Sequence, residues 1–497
     1  MNNEQIPNPL IKRVFLTPNR PAIKFQKREY TFRELYDLSY QTAGLLQEKG
    51  VKNGQFIAVL LRNHVDTVAA LLSLQLLGVK AVILNNRLSS KEISWQIQDS
   101  GSAFLMTEEC FLEKIKNVSL PIPVIIKEQL SHGPFSEPKM QQEIGLHDIC
   151  SVMYTSGTTG NPKGVMQTYG NHWSSAVGSA LNLGLMEEDC WLCAVPLFHI
   201  SGYSILMRSL FYGMKVVLHE GFDEQRTIED IQTEKVTIMS VVTAMLSRLI
   251  ESLGKDKLPK HFRCMLLGGG PAPYSILKKC VEKEIPVYQT YGMTETASQI
   301  VTLSPEYSIE KLGSAGKPLF ASQVRIVNSL GEEVKPSESG EIIVKGPNVT
   351  RGYLNRTEGG HFEKDGWFHT GDIGYLDEDG FLFVQDRRTD LIISGGENIY
   401  PAEIEGILTS HPNIRDAGVI GMSDRRWGQV PVAFIIKKGE VTLEEIIDFC
   451  KERLAKYKVP QKLHFVDTLP RNASNKLLRR ELRQWLEKAK EANISDG

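Results

Sequence analysis

The sequence predicts an α/β protein: a large N-terminal region of doubly wound, mostly parallel sheets plus a β-rich subdomain, followed by a small C-terminal α+β domain. Three observations carry this. Apolar strand-like runs alternate with amphipathic helical segments from Phe56 to Thr290. From about Gly313 to Asp386 the runs shorten to Q-V-R-I-V, E-I-I-V-K and F-L-F-V-Q-D, separated by Gly, Asp and Asn turns. After Asp386 two strand-like runs and a helix make a compact tail, so the expected division is 1–386 and 387–497.

In chain order, Thr31-Phe-Arg-Glu34 has capping-box spacing and opens an amphipathic helix to Lys49-Gly50. F-I-A-V-L-L (56–61) reads as a buried strand, V-D-T-V-A-A-L-L-S-L-Q-L-L-G as a helix, and A-V-I-L-N as the next strand. The helix S-S-K-E-I-S-W-Q-I-Q-D-S and the strand A-F-L-M-T continue the alternation, which returns in K-V-V-L (215–218), a helix around Thr227 to Thr233, F-R-C-M-L-L (262–267) and P-V-Y-Q-T (286–290). A second capping box, Thr442-Leu-Glu-Glu445, opens a helix in the tail.

Composition narrows the function. The 497 residues are 41% hydrophobic and 23% charged, enough to bury several cores. With 57 basic against 59 acidic residues the net charge is −2, which supplies no field for nucleic acid or anionic lipid and favours a small-molecule partner. The N-terminus lacks the apolar core of a secretion signal, and no stretch reaches the roughly 18 apolar residues of a membrane helix, so a cytoplasmic protein is expected. Seven scattered cysteines fit reduced thiols. Cys190-Trp-Leu-Cys193 has C-x-x-C spacing but no second pair or histidine cluster, and reads as packed cysteines.

The segment Y-T-S-G-T-T-G-N-P-K-G (154–164) crowds three glycines, four hydroxyls besides Tyr154 and a lysine behind an apolar run, a composition expected outside strand and helix interiors. Such a loop turns backbone N–H groups and hydroxyls toward one point and suits phosphate oxygens. It is not a P-loop, because Pro162 stands where the second glycine belongs and Gly164 follows Lys163. L-L-G-G-G-P-A-P (266–273) puts bare backbone at a strand's carboxyl end, where open α/β sheets bind ligands. Y-G-M-T-E (291–295) offers an aromatic face, a hydroxyl and a carboxylate after another strand, and H-T-G-D (369–372) a carboxylate after a glycine turn.

These motifs, with D-R-R-T-D-L-I-I-S-G-G-E-N-I-Y-P-A-E-I-E and P-R-N-A-S-N-K-L-L-R-R in the same order, resemble the acyl-adenylating superfamily of acyl-CoA synthetases, luciferases and peptide-synthetase adenylation domains. P-L-F-H-I-S-G, L-L-G-G-G-P-A-P, Y-G-M-T-E-T-A-S-Q-I-V-T-L-S-P-E, K-L-G-S-A-G-K-P-L and L-P-R-N-A-S-N-K-L-L look like the 2-succinylbenzoate-CoA ligases of menaquinone synthesis within it. The resemblance implies two half-reactions: a carboxylate attacks the α-phosphate of ATP to give acyl-AMP and pyrophosphate, then the thiol of coenzyme A displaces AMP.

By the same resemblance, Thr155, Ser156, Gly157, Thr158, Thr159 and Lys163 cradle the β- and γ-phosphates, and Glu295 binds Mg2+. Tyr291 stacks on adenine against the backbone of Gly268, Gly269, Gly270 and Pro271. Asp372 with Arg387 holds the ribose, and Thr294 contacts the α-phosphate. Lys476 swings in to bridge acid and α-phosphate, although Asn475 precedes it where the family has glycine. The C-terminal domain is mobile about a hinge just after Arg387, with Thr389 where many relatives have Asp or Lys, and Gly395-Gly396 then line the pantetheine tunnel. His199 and Arg208 face the aromatic acid, Arg208 toward its second carboxylate; without the resemblance they read as a packed histidine and a surface arginine at a helix end.

Rival readings are an AMP-forming aryl- or fatty-acyl-CoA ligase, an adenylation enzyme loading a carrier protein, a kinase or ATPase releasing ADP, and a nucleotide-binding scaffold without turnover. Self-association is open.

Overall fold

The computed structural model describes residues 4–494 except 89, 117–121, 131–134, 156–161, 270–273, 357–360, 388–389, 391, 395–396, 400, 425–426, 455, 473–474 and 476. Packing divides the chain into two units. The first comprises Met1–Ala272, Ile276–Val324 and Val344–His369; the second is built chiefly from Arg325–Ile343 and Thr370–Gly497.

Two twisted sheets form the first unit. In the nine-stranded sheet the order is Lys317–Pro318, Ser298–Leu303, Val287–Met293, Cys264–Gly268, Ile238–Val242, Cys190–Cys193, Lys215–Leu218, Pro21–Phe25, Arg28–Thr31. Its six inner strands are parallel and its margins antiparallel, so helices cross over both faces. The six-stranded sheet runs Lys163–Thr168, Ile149–Thr155, Lys80–Ile83, Phe56–Leu60, Phe104–Thr107, Val124–Ile126, and only its first pair is antiparallel.

Local chemistry sets the helices. Phe32–Glu48 opens on the expected capping box: Thr31 Oγ1 accepts from the Glu34 amide at 3.2 Å, and a Glu34 carboxylate oxygen accepts from the Thr31 amide at 2.8 Å. Val65–Leu76 has no polar face, and every residue except Asp66 is buried, as a helix walled in on all sides requires. Cys190 and Cys193 lie in one buried strand, and burial pushes both thiols up to about 12, which makes them inert packing groups. Among the described residues no helix is long and apolar enough to cross a membrane.

A four-stranded sheet, chiefly of the second unit, orders Gln323–Val327, Gly340–Lys345, Phe368–Leu376 and Leu382–Arg387, matching the short alternating runs read from sequence. The tail forms a five-stranded sheet centred on the long hairpin Ile414–Asp424 and Gly428–Lys437, with helices Pro401–Thr409, Leu443–Lys451 and Arg479–Ile494. Arg479 ties these elements together, donating to the Val419 carbonyl, to Asp390 and to Glu405.

Candidate active site

The hydroxyl-rich segment turns out to be the mouth of a β-hairpin. Contrary to the expectation that 154–164 lies outside strands, one strand runs through Tyr154 to Thr155 and the next begins at Lys163, with Thr155 and Lys163 directly paired. The near-continuously buried run C-S-V-M carries the ladder as far as the Thr155/Lys163 pair. Ser156, Gly157, Thr158 and Thr159 lie outside the described residues.

At this mouth Lys163 Nζ lies 2.7 Å from His361 Nε2 and 5.0 Å from the ring centre of Tyr353. Burial, then the nearby Arg356 guanidinium, holds the Lys163 ammonium below its ordinary pKa, with Glu295 acting the other way. Arg356 itself donates to the Pro162 carbonyl at 2.9 Å. Glu295, 8% exposed, receives the Tyr353 hydroxyl at 3.0 Å and the Thr155 hydroxyl at 3.5 Å on the same oxygen. Thr155, Lys163 and Glu295 are therefore brought together as expected, and Tyr353, His361 and Arg356 join them without having been anticipated. The signal for Tyr353 was G-P-N-V-T-R-G-Y (346–353), a run whose residues 352–354 extend along the open edge of Lys163–Thr168; Arg356 and His361 lie beyond it.

Y-G-M-T-E does not simply follow a strand. Tyr291, Gly292 and Met293 are its last residues, bulged against Ser298–Leu303 at Tyr291/Gly292, where a Cβ on Gly292 would sit 2.0 Å from the Ser298 carbonyl oxygen. Thr294–Thr296 then makes a single tight turn. Behind it Ala297 (φ 49°) and Ser298 (φ 104°) are left-handed without being glycine, at a cost of roughly 1–3 kcal/mol each. Gly268 and the left-handed Gly269 (φ 86°) end the neighbouring parallel strand, so the glycine backbone and Tyr291 meet at adjacent carboxyl ends, the ligand-binding edge of such sheets. Gly270 and Pro271 lie outside the described residues.

Asp372, in the second unit, also departs from expectation. H-T-G-D is not a turn but the middle of the strand Phe368–Leu376, in which Gly371 is a left-handed kink (φ 72°). The strand continues because Thr370 Oγ1 donates to the Ile342 carbonyl and accepts from the Asp372 amide at 3.0 Å. Asp372 pairs in register with Arg387, so the two expected ribose contacts are cross-strand neighbours. Gly395, Gly396, Thr389 and Lys476 lie outside the described residues. Asn475 does adopt left-handed backbone (φ 61°); its carbonyl accepts from Arg471 at 2.8 Å, and Arg471 grips both oxygens of Asp416.

Arg208 is not a surface residue. It is 1% exposed, over the Trp191 ring at 5.2 Å, and donates to Ser204 Oγ at 3.2 Å. Its Nε and Nη2 have no hydrogen-bond partner among the described residues, and burial holds the guanidinium below its ordinary pKa, with the Tyr212 hydroxyl acting in the other direction. A buried guanidinium left short of acceptors is costly and calls for an anion. His199 stands just before the helix Ile200–Tyr212, edge-on to Phe198 at 4.7 Å; burial and then Arg87 push it down to about 4, so it is neutral at pH 7. His172, edge-on to Tyr203, is pushed down to about 3 by burial and then by Arg208.

The folded pKa of His172 is below its unfolded value, so its contribution is fully favourable above about pH 6.5 and is lost progressively as pH falls toward 3, by about 1.4 kcal/mol per pH unit. Unfolding midpoints of His172→Gln measured at pH 7 and pH 5 should show about 2 kcal/mol less acid loss than the parent chain. Equal acid loss in both would contradict this.

Among the described residues no group of three or more His, Cys, Asp or Glu could hold a metal ion. A lone buried carboxylate such as Glu295 nevertheless suits Mg2+, which keeps waters and binds through one or two carboxylates plus substrate phosphates. The hairpin mouth at Thr155 and Lys163, beside the Glu295 carboxylate and next to the carboxyl ends of a parallel sheet, is the candidate nucleotide site. Residues 12–354 match the AMP-binding enzyme family and residues 403–476 match the AMP-binding enzyme C-terminal domain, and the chain belongs to this family. It is 53% identical over 485 residues to the 2-succinylbenzoate–CoA ligase of Bacillus cereus (strain Q1), a match covering 97% of this chain and 99% of the relative. Its fold is similar to o-succinylbenzoate CoA synthetase (MenE) from Bacillus subtilis in complex with the acyl-adenylate intermediate OSB-AMP, with TM-score 0.93, 50% identity, and 96% and 98% of the two chains covered. The same enzyme in complex with ATP and magnesium ion matches at TM-score 0.93 and 49% identity, covering 97% and 100%.

Proposed function

We propose that this chain is the AMP-forming ligase that activates 2-succinylbenzoate as its acyl adenylate, with release of pyrophosphate, and then transfers the acyl group to coenzyme A in menaquinone biosynthesis in the cytoplasm. The observation that carries this reading is the 53% identity, across 97% of the chain, to a 2-succinylbenzoate–CoA ligase. A carboxylate is a poor electrophile; adenylation gives it a good leaving group, and the protein contributes position and charge.

Thr155 to Thr159 and Lys163 grip the β- and γ-phosphates at the hairpin mouth, and Thr294 contacts the α-phosphate. Glu295 holds Mg2+, which neutralises phosphate charge when bound. Tyr291 stacks on adenine over Gly268 to Pro271, while Asp372 and Arg387 take the ribose hydroxyls. Arg208 supplies the charge for the acid's second carboxylate, and neutral His199 a polar contact without charge. Residues 387–497 act as the mobile domain, bringing Lys476 to the acid for adenylation and Gly395-Gly396 to the pantetheine arm for thioester formation.

A substrate panel read by pyrophosphate release tests the reading. 2-Succinylbenzoate should be preferred over benzoate and fatty acids; preference for a fatty acid would assign a different acyl-CoA ligase. Glu295→Gln should lower pyrophosphate release on the order of 100-fold and raise the Mg2+ concentration needed for half-maximal rate. An unchanged Mg2+ titration would remove Glu295 from the metal.

A further inference from the structure

The turn carrying Thr294 and Glu295 is held by its carbonyls. Four in succession each receive a donor from a segment distant in sequence: Gln167 Nε2 to Thr294 O at 2.8 Å, the Thr350 amide to Glu295 O at 2.7 Å, Asn348 Nδ2 to Thr296 O at 3.0 Å, and Ser175 Oγ to Ala297 O at 2.7 Å. Gln167, Asn348 and Ser175 are all buried. A turn of this length usually leaves carbonyls to water; here each is fixed to the surrounding framework, next to two left-handed residues that would relax if released.

The donors are themselves braced. Gln167 Oε1 accepts from Ser151 Oγ at 2.8 Å, which fixes the amide orientation, and Ser151 Oγ lies 3.2 Å from His172 Nε2. Asn348 Oδ1 accepts from Ser322 Oγ at 3.0 Å. Asn171, the capping-box partner of Thr168 at the start of helix Tyr169–Leu183, donates to the Pro347 and Val349 carbonyls at 3.0 and 2.9 Å, holding the loop that presents Asn348 and Thr350. Strand, helix and loop thus converge on one turn, and Gln167 also links it through Ser151 to His172, whose imidazole lies in the field of Arg208.

We propose that Gln167, supported by Asn348 and Ser175, is a positioning residue for adenylation, keeping the Thr294 hydroxyl and Glu295 carboxylate presented to the α-phosphate and the metal. This rests on the roles given above to Thr294 and Glu295. Gln167→Met preserves length and apolar volume but removes both hydrogen bonds. It should raise the half-saturating Mg2+ concentration and lower kcat for pyrophosphate release by about tenfold each, the usual scale for groups that orient a metal ligand. The KM for 2-succinylbenzoate should stay within about twofold. Ser175→Ala, a milder truncation, should shift the Mg2+ requirement in the same direction and carries the test if Gln167→Met does not fold. A merely structural role would lower the melting temperature and the yield of active protein while leaving the Mg2+ titration of folded enzyme unmoved, and that result overturns the proposal. Parent enzyme assayed in parallel separates the two readings: no pyrophosphate release by the parent defeats the ligase assignment, whereas normal release by the parent with unshifted variants defeats only the role of the clamp.

Discussion

Lys476→Ala is expected to lower pyrophosphate release from ATP and 2-succinylbenzoate by about a thousandfold while leaving thioester formation from supplied acyl adenylate within about threefold of the parent. An ion pair at about 4 Å is worth roughly 4 kcal/mol at an effective dielectric of 20, and each 1.36 kcal/mol is a factor of ten in rate. The stem that presents the lysine is independent of its amine: Asn475 is tied to Arg471, and Arg471 to Asp416. The variant should therefore fold normally. Separate rapid-quench assays of the two half-reactions check the split, and an equal loss in both would mean that the lysine serves something other than the α-phosphate.

Arg208→Met should raise the KM for 2-succinylbenzoate on the order of 100-fold, corresponding to about 3 kcal/mol for a charge-assisted pair in a buried setting. The KM for ATP should hardly move. Thermal stability should be equal or higher, because the substitution removes a buried guanidinium with two nitrogens lacking partners among the described residues and leaves a thioether of similar reach against Trp191. This opposition of effects is diagnostic. An arginine retained for packing would cost stability and leave the KM alone; one retained for substrate does the reverse. An unchanged KM for the acid assigns the second carboxylate to another group.

What was legible in the sequence follows the range of the interactions. The Thr31/Glu34 and Thr442/Glu445 caps were readable because both partners lie within one helical turn, and the strand–helix alternation because burial imposes its period locally. The hydroxyl- and glycine-rich composition of 154–164 was plain in the sequence, but the pairing of its flanks as a hairpin was not, since hydroxyl and glycine content says nothing about which flanking residues pair. H-T-G-D was read as a turn because glycine marks turns, yet here one left-handed glycine bends a strand whose neighbours keep it extended.

The remaining site residues were hidden by distance along the chain. Tyr353 reaches Glu295 across 58 positions from a segment aligned on a sheet edge, and His361 reaches Lys163 across 198. Gln167 sits next to last in its strand and reads as an ordinary polar residue until the turn it holds is packed against it. Arg208 reads as a surface residue from its place near a helix end, because the ring that covers it comes from the strand Cys190–Cys193. Catalytic motifs announce themselves by composition; the framework that orients them is written in tertiary contacts.

Ligation turns on one chemical event, the joining of the acid to the α-phosphate of ATP. Incubation of the enzyme with Mg2+, ATP labelled with 18O at the α-phosphate, and 2-succinylbenzoate, with coenzyme A omitted, followed by quenching and mass spectrometry, observes it directly. Labelled succinylbenzoyl-AMP is expected on the enzyme with one equivalent of pyrophosphate, and its conversion to the thioester and labelled AMP when coenzyme A is added. ADP with inorganic phosphate, or unaltered ATP in the presence of the acid, would contradict it.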